Sequence, residues 1–178
     1  MGDNANTLDQ VTAAVSSELA LITDQEILSS IKPLLITPFQ HSRILAEELP
    51  DHTYSCWAVL QDTASNTAIV FLETPLIPGA CWALVSLSGR FLGDDSGWYP
   101  TLQDAFADSW AAASLPVWDL LRKTPSGSSE VLNKNMTLDQ ACEGLNQLNR
   151  PFRETPALLA EGHPYYTVEL RSKHRPAG

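Results

Sequence analysis

Residues 81–113 read CWALVSLSGRFLGDDSGWYPTLQDAFADSWAAA, and the fold turns on how they are read. Cys81 to Leu87 is a short run rich in Trp, Leu and Val, the composition of a buried strand. Gly93-Asp94-Asp95-Ser96-Gly97 is an acidic turn, with Trp98 and Tyr99 directly after it. Thr101-Leu102-Gln103-Asp104 then opens a helix. The threonine can cap it, and Asp104 suits the positive end of the helix dipole. The spacing of Leu102, Ala105, Phe106, Trp110 and Ala113 predicts one apolar face packed on the sheet, with Asp108 pointing away.

Upstream of this stretch, Tyr54–Leu60 and Ala68–Glu73 are two further apolar runs with strand composition. The links Asp62–Asn66 and Thr74–Ala80 are too short for crossover helices, so the three runs form an antiparallel meander. Ala68 to Leu72 is apolar on both alternating sets, which makes it the middle strand. Pro78-Gly79 suits the central positions of a type II turn. Cys56-Trp57-Ala58 and Cys81-Trp82-Ala83 each place Cys and Ala on one face and Trp on the other, by the period of two.

The flanks are expected to be helical. Thr7-Leu8-Asp9-Gln10 is a capping box, and Leu8, Val11, Val15, Leu19 and Ile22 follow at helical spacing. A second box, Thr23 to Glu26, opens a shorter helix that Pro33 stops. Residues 34–39 read as an extended connector and 40–48 as a third helix, with Ile44, Leu45 and Leu49 inward. Val117–Arg122 reads as a short helix after the Pro116 break. Thr137-Leu138-Asp139-Gln140 repeats the first capping box, and its stripe of Leu138, Ala141, Cys142, Leu145 and Leu148 runs to Pro151. Tyr165–Arg171 alternates as a half-buried final strand.

The expected fold is therefore α+β: a small antiparallel sheet, a three-stranded meander plus a C-terminal strand, packed against several helices. Residues 1–6 form a disordered N-terminus and 7–172 a single domain. Within it, 8–48 are a helical cap, 53–122 the sheet and central helix, 123–129 a flexible loop, and 130–172 a helix and the last strand. Residues 173–178 are a loose basic tail.

Net charge narrows the function. The chain of 178 residues carries −10, and 44% of it is apolar. Residues 1–119 hold 15 Asp/Glu against Lys32, Arg43 and Arg90, a balance of −12. Residues 120–178 hold 6 acids and 8 bases, a balance of +2. Phosphate binding needs clustered cations, so nucleic acid is not the expected partner. No run of 18 apolar residues suggests a membrane span, and no N-terminal leader pattern is visible, so the expected compartment is the cytoplasm.

Catalytic signatures are sparse. The chain has no G-x-G-x-x-G, no G-x-x-x-x-G-K-[ST], no H-E-x-x-H and no C-x-x-C. Four scattered histidines and three scattered cysteines do not have zinc-site spacing, so no metal and no cofactor is expected. Asp94, Asp95 and Ser96, with Trp98 and Tyr99, are the candidate interaction or ligand residues. The plainer account of the three is a solvated turn, and of the two aromatics a seal at the core edge. Cys56 and Cys81 read first as small core hydrophobes; a reactive thiol would need a histidine, and His52 lies four residues before Cys56.

Two functions fit these features. One is a small acidic cytoplasmic interaction module (a binding, adaptor, inhibitor or immunity-like protein) without catalytic activity, whose protein partner presents a basic surface. The other is a small-ligand-binding protein or enzyme with its site beside the 93–99 turn. Homo-oligomerisation through an edge strand is compatible with either.

Overall fold

A computed structural model of the chain describes residues 7–44, 53–90, 92, 97–124, 126–154 and 164–170, with backbone alone at 152–154. It is an α+β fold with antiparallel sheets of five and three strands. The chain divides into two compact units, 1–112 and 113–178.

The first unit begins with α1 (Leu8–Leu21) and α2 (Gln25–Ile31). The Thr7 capping box forms as read: Thr7 N–H donates to Gln10 Oε1, and Gln10 N–H to Thr7 Oγ1. Asp24, not Thr23, caps α2, accepting from the N–H groups of Glu26 and Ile27. A single 3-10 turn, Lys32–Leu34, carries Pro33. Strand β1 (Leu35–Ile44) follows, where the sequence suggested a connector and then a helix. The reason is tertiary: residues 39–44 each pair with a residue of β2, and backbone pairing overrides the weak helical spacing of Ile44 and Leu45. Pro38 is tolerated because β1 is an end strand and its register shifts between Leu35 and Phe39.

The meander itself is as expected. Strands β2 (Thr53–Asp62), β3 (Thr67–Leu72) and β4 (Trp82–Ser86) are antiparallel neighbours, joined by β5 (Trp98–Tyr99) in the order β1-β2-β3-β4-β5. β3 is the middle strand and is buried at Ala68, Ile69, Val70 and Leu72. The Pro78-Gly79 turn forms, with Gly79 at φ 81° and Ala80 N–H donating to Ile77 O.

Alternation divides this sheet into two chemically different faces. Cys56, Ala58, Ala68, Val70, Leu72, Ala83 and Val85 form one buried cluster with Leu92. The register puts Trp57, Phe71, Trp82 and Tyr99 in a single row on the other face. Phe71 and Trp82 meet edge-on, their ring centroids 5.1 Å apart. The small-residue face is inside a curl. After β4 the chain crosses to β1, where Ile44 N–H donates to Arg90 O (3.0 Å) and Leu92 N–H to Ile44 O (2.8 Å). The inner face is thus made mainly of small and aliphatic side chains, with Tyr54 and Trp98 packed against it, while Trp57, Phe71, Trp82 and Tyr99 stand on the outer face.

Among the described residues no helical one belongs to the inner cluster, so α1 and α3 (Leu102–Ala107), which contact this sheet, lie against its outer face. The central helix is two pieces, α3 and α4 (Trp110–Ala113), the second ending at the boundary between units. Thr101 caps α3 by accepting from Asp104 N–H. Glu18 of α1 accepts from Leu102 N–H at 2.9 Å, which satisfies a second orphan donor at that helix start.

The second unit holds β6 (Trp118–Lys123), β7 (Ser129–Met136), α5 (Leu138–Glu154) and β8 (Tyr165–Leu170). Its sheet order is β7-β6-β8. Residues 118–122 are thus a central strand, not a helix, and residues 129–136 form a strand the sequence reading left unassigned. Both errors share a cause: strand β6 is defined by partners on two sides, 119–123 pairing without a break to β8. The C-terminal strand belongs to this sheet and does not extend the meander. Between β6 and β7, Gly127 has φ 87° and its N–H donates to Thr124 O, while Thr124 N–H donates to Ser128 O.

Thr137 caps α5 with the same reciprocal box as Thr7. The helix continues through Pro151 to Glu154, because a proline there forfeits one late backbone bond and the rest persist. Of its expected stripe, Ala141 is buried and Leu138, Leu145 and Leu148 are half-buried, but Cys142 is exposed. Asp119 is fully buried in β6 and accepts from Asn135 N–H at 3.0 Å. Asn135 has φ 54°, so this carboxylate anchors the irregular end of β7. Lys123 and Glu169 form an ion pair, and that hydrogen bond raises the affinity of Lys123 for its proton.

Candidate functional site

The strongest local convergence of chemistry lies between β5 and the break in the central helix. Trp98 and Tyr99 are consecutive on an extended strand, so their side chains leave on opposite faces. Trp98, paired with Ala83, packs half-buried against the inner cluster. Tyr99, paired with Trp82, stands at the end of the outer aromatic row. The two therefore do not line a common pocket wall. Asp94, Asp95 and Ser96 lie outside the described residues, as does His52.

Tyr99 has a defined partner: its phenol donates to Asp108 Oδ2. Burial of the phenol raises its pKa, and the hydrogen bond to Asp108 and the negative charges of Asp108 and Asp104 raise it further. Asp104 in turn accepts from Thr101 Oγ1 at 2.8 Å. Gly97 makes the Tyr99 position possible. A Cβ at residue 97 would fall 1.7 Å from the Tyr99 hydroxyl oxygen and 2.5 Å from its ring carbon Cε2. We expect Gly97→Ala to swing the ring away and break the bond to Asp108. Ultraviolet titration would then show the phenol ionising at lower pH than in the wild type; an unchanged phenol titration would contradict this geometry.

Trp110 lies two residues past Asp108, and here the helical spacing misleads. Its helical spacing assigns it to the packed face with Leu102, Ala105 and Phe106, which are indeed buried. Trp110 itself is 74% exposed. The helix breaks at Asp108 and Ser109. Ser109 is buried, and both its N–H (3.0 Å) and its Oγ (2.6 Å) donate to Phe106 O. A serine that bonds the preceding turn competes with the helix ladder, and the break resets the rotational phase. The Asp-Ser pair at 108–109 was the available signal.

The thiol candidates are placed differently. Cys56 is fully buried, and its Sγ contacts a backbone carbonyl, His41 O, at 3.5 Å. Burial pushes its pKa up to about 11, against the opposing influence of Arg43. Its register partner is His41, whose ring is half-buried on the inner face of β1. Cys81 is half-buried. Among the described residues no group of three or more His, Cys, Asp or Glu could hold a metal ion. No described helix is long and apolar enough to cross a membrane.

No protein-family model matches the chain, no curated protein is significantly similar to it, and no solved structure matches its fold.

Proposed function

We propose that this chain is a protein-interaction module, and that Trp110, which follows Asp104 and Asp108 in the chain, is the anchor for a partner with a basic surface. The observation that carries this reading is the 74% exposure of Trp110, two residues after Asp108 in an acidic stretch of sequence. An exposed indole is the side chain most often found at the energetic centre of protein interfaces. The surrounding sequence supports the sign of the partner. Between Arg90 and Arg122 there is no lysine or arginine, while Asp94, Asp95, Asp104 and Asp108 precede Trp110. An arginine on the partner can stack on the indole and pair with a carboxylate at once. Acidic fields of this kind also accelerate encounter with a basic surface. The expected setting is the cytoplasm, and the expected mode is binding without catalysis.

The test uses affinity capture with wild-type bait, followed by binding of the purified captured protein to wild type and Trp110→Ala. The variant is expected to weaken binding by about 30-fold, the scale of an interface hot spot. Rising salt is expected to slow association. Because Trp110 is solvated, its removal leaves the unfolding midpoint unchanged. Undiminished binding by Trp110→Ala, and by charge reversal at Asp104 and Asp108, would sink the reading.

A further inference from the structure

The inner face of β1 carries two basic side chains, Arg43 and His41, where the curled sheet closes. Arg43 is 4% exposed, and its Nη1 donates to Gly89 O at 2.6 Å. His41 lies two residues earlier on the same strand, hence on the same face and about 6.8 Å away along the backbone. The His41 Nε2 is buried and makes no hydrogen bond. Its ring rests against Phe39 with centroids 5.5 Å apart. Immediately beyond, the backbone bonds of Ile44 to Arg90 and of Leu92 to Ile44 hold the seam shut.

We infer that this seam is an acid-sensitive latch, with His41 as the group that releases it. Among the described residues, the groups facing His41 leave a proton on it uncompensated. On β1 the neighbour is cationic Arg43. On β2 the same face presents Cys56, whose thiol stays protonated, and Tyr54. The crossing segment contributes Gly89 O, taken by Arg43, and the exposed Arg90. The carboxylate directly after β3, Glu73, follows inward Leu72, so it is on the outer face, where it accepts from Trp57 Nε1 and Gln40 Nε2. Protonating His41 would therefore bury a second positive charge beside the first, with a donor that has no acceptor.

The direction of the equilibrium follows. Burial, and then the charge of Arg43, lower the pKa of His41 from its ordinary value of about 6.5. The open chain therefore binds the proton more tightly than the closed one. The latch is fully closed above the ordinary histidine range and weakens as pH falls through it. The ordering is local, because the central strand β3 is bonded on both sides and does not depend on the seam.

Amide hydrogen exchange between about pH 8 and about pH 5, the range in which histidine changes charge, tests the latch. Protection at Ile44 and Leu92, corrected for the intrinsic pH dependence of exchange, is expected to fall several-fold in the wild type. Protection at Val70 in β3 is expected to hold, and His41→Gln is expected to flatten the response at Ile44 and Leu92. The same loss in His41→Gln as in the wild type overturns the proposal, as does an equal loss at Val70. Should His41→Gln not fold, the wild-type ring is followed by NMR, and an inflection at or above the ordinary histidine value overturns it.

Discussion

Phe106→Ala lowers the unfolding free energy of the first unit by about 3–5 kcal/mol, the range for emptying a buried aromatic site. Phe106 is 1% exposed and among the largest fully buried side chains. Its helix is short: α3 has six residues, too few to persist on propensity alone. Two caps hold its start, Thr101 on Asp104 N–H and Glu18 on Leu102 N–H. Its far end depends on packing, with Ser109 bonded to the Phe106 carbonyl. Removing the ring should therefore loosen the 108–109 break as well as leave a cavity. Urea denaturation followed by near-ultraviolet circular dichroism would register both the lower midpoint and a changed Tyr99 environment. A loss under about 1 kcal/mol would mean the site collapses freely, contrary to close packing.

Leu120→Ala has the second large effect, about 2–5 kcal/mol on the second unit. Its buried apolar residues are few: Val117, Leu120, Leu121, Ala141 and Leu170 among those described. Leu120 sits on the central strand and meets α5 at Gly144, where an added Cβ would lie 3.0 Å from Leu120 Cδ2. That proximity supplies an internal control. Gly144→Ala alone gains helix propensity of about 1 kcal/mol but crowds Leu120. In the double variant the crowding is gone and the new methyl fills part of the cavity. The pair should be non-additive, the double variant being more stable than the sum of the singles predicts. Additive losses would show that the two residues do not share the contact.

How much of this was legible in the residues depended on where each element's stabilising partners lie. The meander and the Thr7, Thr101 and Thr137 caps could be read because their determinants are local: alternation, short links, and a hydroxyl three residues from its donor. Strands β1 and β6 could not. Residues 40–44 and 118–122 acquire their conformation from hydrogen bonds to strands elsewhere in the chain, and no neighbour in sequence announces them. The separation of the strands into two sheets was hidden for the same reason. The candidate site was half legible. Tyr99 was singled out, but for its neighbour in the 93–97 turn; its observed partner is Asp108, on the helix. Trp110 was assigned to the core because a continuous helical period was carried across a break that Ser109 creates.

The crossing of the chain back to β1 also bears on the order in which the first unit assembles. The β2–β3 link has only the four turn residues 63–66, and closing it costs little chain entropy. The contact of Arg43 with Gly89 joins residues 46 apart. Logarithmic scaling makes that closure about 2 kcal/mol more costly if attempted from the open chain. The economical route is to zip β2, β3 and β4 first, since each hairpin shortens the effective distance to the next contact. β1 then docks onto a preformed surface, and the seam shuts last. The residues that complete the curl are thus expected to contribute little to the speed of folding and more to the lifetime of the folded state, since interactions absent from the transition state act on the unfolding rate.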